Sequence, residues 1–164
     1  KLVEEMCELS DVFHNIAESE PLNGEVADVI ISAVDLLYVM EFNSVQIHGS
    51  MNKEELIDSV IHRLTVAQGV SSSLEDFWFS SGCYDPEKIF PRLTHLQGRV
   101  TRLLNQPHRC TDTLEDLLVK IIGATARVAM SVGDMSPRIK NGVRIKVEQA
   151  VEHKVLKWRG KFGL

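Results

Sequence analysis

The run EVADVIISAVDLLYVM, residues 25–40, constrains the fold more than any other part of this chain. Val26, Val29, Ile30, Ile31, Ala33, Val34, Leu36, Leu37 and Val39 leave almost no side of a helix without an apolar group. A helix that is hydrophobic all round belongs inside a bundle. One polar stripe interrupts it: Glu25, Asp28, Ser32 and Asp35, three or four positions apart and therefore on one face. The preceding segment shows a narrower stripe, with Leu2, Met6, Leu9, Phe13 and Ile16 at helical spacing and Glu5 and Glu8 at its border. Two helices thus each present a pair of carboxylates. Ionised carboxylates are rarely buried without a partner, and residues 2–40 contain no Lys or Arg. A divalent cation would remove the difficulty. Mg2+ takes hard oxygen ligands, commonly carboxylates together with waters and substrate phosphates.

Glu4-Glu5-x-x-Glu8, a spacer of 16 residues and then Glu25-x-x-Asp28 resembles the EExxE…ExxD signature of the MazG-like nucleotide pyrophosphohydrolases. LVEEMCEL and EVADVIISAVDLL are also similar to that family's surroundings. The superfamily is all-α and includes dimeric dUTPases and phosphoribosyl-ATP pyrophosphohydrolases. The resemblance implies Mg2+, with Mn2+ as a substitute, held by Glu5, Glu8, Glu25 and Asp28. It also implies cleavage of a nucleoside triphosphate between the α and β phosphates. Glu4, Glu5 and Glu8 are the catalytic candidates, Glu4 or a free oxygen of a ligand serving to orient or deprotonate water. Asp35, further along the stripe, is either a supporting group or a polar residue at a bundle seam. Relatives usually carry a helix ahead of the EExxE helix that contributes to the base pocket; here Lys1 stands inside the first helix, so another part of the chain or a missing helix is expected to supply it.

Beyond Met40, FNSVQIHGS reads as a turn region. Asn52 with Glu55 then makes a start like a capping box for a helix over about 53–67. Residues 69–89 mix Gly, Ser and Pro around Phe77, Trp78, Phe79 and Tyr84 and read as a connector. Those aromatics either cover the core edge or stack on a base.

The second half echoes the first. Leu96–Leu103 overlays Leu2–Leu9, with Arg99 and Arg102 where Glu5 and Glu8 stand; Thr113–Ile122 overlays Glu25–Val34 and keeps only Asp116. His153-Lys154 echoes His62-Arg63. Such self-similarity points to a tandem duplication: an acidic MazG-like repeat over 1–70, a connector over 71–89, and a degenerate basic repeat over 90–164, packed as a pseudo-dimer. Charge follows that division. Residues 1–70 hold 3 Lys/Arg against 13 Asp/Glu, and residues 90–164 hold 14 against 6. Complementary halves account for part of this asymmetry. Binding of a triphosphate would use the rest, with Arg63, Lys154, Lys157, Arg159 and Lys161 as candidates for its phosphates.

Other chemistries find little support. The chain lacks GxGxxG, GxxxxGK[ST] and GxSxG. It also lacks the Glu-x-x-His pairs of a di-iron bundle; Asp11-x-x-His14 stands alone. An acidic pI near 5.7 and no nucleic-acid motif argue against nucleic-acid binding. No apolar run is long enough to span a bilayer. Cys7, Cys83 and Cys110 have no metal-site spacing and suit a reducing, cytoplasmic setting. The resemblance implies an all-α, Mg2+-dependent (d)NTP pyrophosphohydrolase, and a homodimer is expected. The alternatives are a phosphoribosyl-ATP pyrophosphohydrolase-like enzyme and a non-catalytic helical interaction protein.

Overall fold

The first helix, α1 (Leu2–Phe13), begins with Glu4 and Glu5 in its first turn, where carboxylates complement the positive end of the helix dipole. It ends in a Schellman arrangement. The amide of Ile16 donates to Asp11 O and that of Asn15 to Val12 O, while Asn15 itself takes the left-handed conformation at φ 55°. Asparagine tolerates that region better than most residues. Ile16 consequently leaves the buried stripe and is 72% exposed.

In the computed structural model the described residues are 1–16, 20–48, 62, 86–131 and 137–162. After α1 come α2 (Leu22–His48), α3 (Pro86–Asn105), a 3-10 turn at Pro107–Arg109, α4 (Leu114–Ser131) and α5 (Pro137–Phe162). The fold is all-α, and no strand occurs among the described residues. No helix among them is long and apolar enough to cross a membrane. The expected helix over 53–67, Arg63 and the aromatic cluster at 77–84 lie outside the described residues.

Two helices form the centre. α2 packs against α1, α4 and α5, and α4 packs against α2, α3 and α5. Val26, Val29, Ala33 and Leu37 on α2 are fully buried, facing a core completed by Leu2, Met6 and Leu9 of α1. Ile30, Val34 and Leu36 are half-buried against it. α4 is buried almost continuously from Leu117 to Met130, as an apolar cylinder between neighbours must be. α3 contributes Ile89, Phe90, Leu93, Leu96 and Val100, again at helical spacing.

Two boundaries differ from the sequence reading. α2 does not turn after Met40 but continues to His48; Asn43 and Ser44 are weaker helix terminators than glycine or proline. α3 begins at Pro86, inside the stretch read as connector. Proline suits the first turn of a helix, where its missing N–H has no partner to lose. The segment therefore starts a helix there.

Candidate metal centre

Helical spacing places the acidic residues. Along α1, Glu5 and Glu8 lie within one turn of each other and border the face that meets α2. Glu25 and Asp28 stand likewise on the first turns of α2. Packing of α1 on α2 brings a carboxylate oxygen each of Glu5, Glu25 and Asp28 within 4.8 Å of one another. Glu5 and Glu25 are both only 3% exposed, and Asp28 is half-buried. Three hard oxygen donors from two helices fit a small divalent cation of the Mg2+ type.

Glu8 is outside this trio. It stays exposed at the rim, hydrogen-bonded to Glu5, and that shared bond, together with some desolvation and the negative charge of Glu5, raises its pKa. Glu4 is not one of the trio; its side chain is 59% exposed and lies 3.3 Å from Lys1 Nζ. Asp35 is also exposed and separate from the trio.

The absence of Lys and Arg between Leu2 and Met40 does not leave the carboxylates without cations. Lys154, on α5, donates to Asp28 Oδ2 and, at 2.6 Å, to Glu20 Oε2. Lys1 Nζ lies 2.8 Å from Glu5 Oε1. Burial raises the Asp28 pKa, and the Lys154 hydrogen bond only partly offsets it. Burial also acts against the Lys154 ammonium, but its bonds to Asp28 and Glu20 win and its pKa is raised. Glu20, nearer solvent, has its pKa lowered by the same ammonium.

These groups surround an open pocket of about 420 Å³, into which Lys157 and Lys161 also project. Lys154, Lys157 and Lys161 share one side of α5, whereas Arg159 lies roughly 170° around the helix from them. Arg159 is exposed and does not line the pocket. Of the basic candidates, then, α5 brings three lysines to the acidic centre and turns Arg159 away.

Two contributors escaped sequence reasoning. Glu20 and Lys1 carry no motif, and Glu20 meets Lys154 from 134 positions away. Gly24 was the available signal. A Cβ there would lie 2.8 Å from Glu20 Oε2 and 3.8 Å from Lys154 Cε, so its bare backbone marks where these two side chains pass over α2.

The second half holds no equivalent acidic trio among the described residues. Arg99, which overlays Glu5, instead donates from Nε to Asp112 at 2.5 Å. His14 caps the end of α1, with its Nδ1 2.8 Å from Ser10 O and its ring edge-on to Phe90 at 4.9 Å. The notch of about 770 Å³ that it lines with Phe13 and Phe90 opens roughly 160° around α1 from Glu5 and Glu8, so it is not a continuation of the acidic pocket. Comparisons of the chain with protein-family models, with curated proteins and with solved structures find no match.

Proposed function

We propose that the chain is a Mg2+-dependent nucleoside triphosphate pyrophosphohydrolase of the MazG-like kind, yielding a nucleoside monophosphate and pyrophosphate. The observation that carries this reading is the convergence of Glu5, Glu25 and Asp28, three of the four expected metal ligands of the EExxE…ExxD pattern, within 4.8 Å. Glu5, Glu25 and Asp28 would hold a divalent ion, whose charge would supply Lewis-acid stabilisation to the phosphates. Lys157 and Lys161, on the pocket wall, are placed to neutralise the phosphates that extend beyond the carboxylates. Glu8, exposed at the rim and lining the pocket, is better placed than Glu4 to take a proton from water. The order of helical pairs, α1 with α2 and α3 with α4, supports a tandem duplication whose second copy is structural.

A second reading has its own observation. Lys154 and Lys1 already compensate Asp28 and Glu5, which suits a helical scaffold whose acidic pocket is an ion-pair network. Product analysis separates the two. Incubation with nucleoside triphosphates and Mg2+ should give monophosphate and pyrophosphate in equal amounts. Diphosphate with orthophosphate, or no product, would remove the first reading.

A further inference from the structure

Lys154 meets two requirements that conflict. Its ammonium is bonded to Asp28 and to Glu20, yet Asp28 is one of the three carboxylates able to hold a cation. The lysine side chain is only 11% exposed, so this is an enclosed contact rather than a passing surface pair. A dication ligated by Asp28 would stand beside this ammonium, and like charges that close repel strongly where water is scarce. Asp28 has a second carboxylate oxygen to offer an ion, so the conflict is one of like charge rather than of lone pairs.

We propose that Lys154 is a place-holding cation: it compensates Asp28 and Glu20 while no metal is bound, and gives up Asp28 when a divalent ion enters, turning towards the open pocket. The inference rests on the reading of Glu5, Glu25 and Asp28 as a divalent-cation site. The surroundings suit such a movement. A lysine ammonium is a point charge on a flexible four-carbon stem and can re-aim without moving its helix. Glu20, whose side chain is 43% exposed, can keep or release it at little cost in desolvation. Lys157 and Lys161 already line the same pocket, so the displaced ammonium joins a row of lysines facing the space where phosphates would lie. Lys154 thus couples metal entry to the completion of a phosphate-binding row. It positions charge and does not act on the reacting atoms.

The coupling can be read without turnover. Amine acetylation followed by mass spectrometry reports the accessibility of Lys154 in the wild-type protein. Lys154 should label slowly without metal and several-fold faster with saturating Mg2+, while Lys120, exposed on α4, labels equally in both. Calorimetric titration with Mg2+ alone should show Lys154→Met binding the ion about tenfold more tightly than wild type, the size of coupling usual between linked binding events. Mg2+ binding with unchanged Lys154 labelling would overturn the place-holder role and leave the metal site standing. So would equal Mg2+ affinity in the two proteins. Absence of Mg2+ binding in both would overturn the metal site and this inference together. The labelling needs no variant, so it decides the matter even where Lys154→Met does not fold.

Discussion

Lys154 on α5 is bonded to Asp28 on α2 across 126 positions of sequence, and this ion pair ties the basic end of the chain to its acidic beginning. Both side chains are largely enclosed, at 11% and 14% exposure. Removing one partner of such a pair leaves the other charge poorly solvated. Lys154→Met should therefore destabilise the metal-free protein by about 1–3 kcal/mol. Urea unfolding checks this, and millimolar Mg2+ should restore more stability to the variant than to wild type.

The same pair predicts a dependence on pH in the absence of metal. Lys154 has a folded pKa above its usual 10.5, so its contribution is complete below that value and is lost as pH rises through the folded pKa. Glu20, with a lowered pKa, contributes above its usual 4.5 and loses that contribution as pH falls through its folded value. Asp28 has a raised pKa and acts in the opposite sense to Glu20, its protonation relieving the penalty of burial. The melting temperature should consequently fall more steeply above pH 10.5 in wild type than in Lys154→Met. Thermal melts across that range measure the difference.

Metal-linked stability gives a third expectation. A site that binds only the folded chain adds about 2.7 kcal/mol when the ion is at one hundred times its dissociation constant. Wild type should show a graded rise in melting temperature with Mg2+, and Glu25→Gln and Asp28→Asn should lose it. Arg99→Gln, which disturbs the pair with Asp112 in the second half, should keep it.

Gly24 tests the packing around Lys154. A methyl group there meets the tip of Glu20, a flexible side chain that can move aside. Gly24→Ala should thus fold, and gain up to about 1 kcal/mol from helix propensity. It should also break the link between Glu20 and Lys154. Faster acetylation of Lys154 in this variant is the expected sign.

Position around α5 separates the basic residues. Lys157→Ala should raise KM for the nucleotide while Arg159→Ala leaves it unchanged, because only Lys157 faces the pocket. Steady-state pyrophosphate release from the two variants measures it.

Local pattern carried much of this architecture. The apolar circumference of residues 26–39 announced a buried helix, and the i, i+3 spacing of Glu25 and Asp28 placed both at one side of it. The residues Leu2, Met6 and Leu9 identified the buried face of α1 in the same way. Ends were less legible. The Schellman turn depends on Asn15 adopting a left-handed backbone, which its neighbours permit but do not dictate. Partnerships between distant helices were least legible. Gly24 marks a close approach near Asp28 but does not name Lys154, because that contact depends on how α5 lies across α2. Residues 2–40 contain no Lys or Arg, and the fold supplies Lys154 from far away. Arg159 shows the converse: a basic residue two positions from Lys157 looks equivalent in sequence, yet helical rotation directs it elsewhere.

We propose that the carboxylates of α1 and α2 form a divalent-cation centre for cleavage of nucleoside triphosphates. Its most direct test is pyrophosphate release from a panel of canonical ribo- and deoxyribonucleotides, with Mg2+ and with chelator, by wild type and by folded Glu25→Gln. Release from at least one nucleotide that requires Mg2+ and disappears in Glu25→Gln is the predicted result. Equal release by the variant, or none from any nucleotide by a wild-type protein that also fails to bind Mg2+, would contradict it.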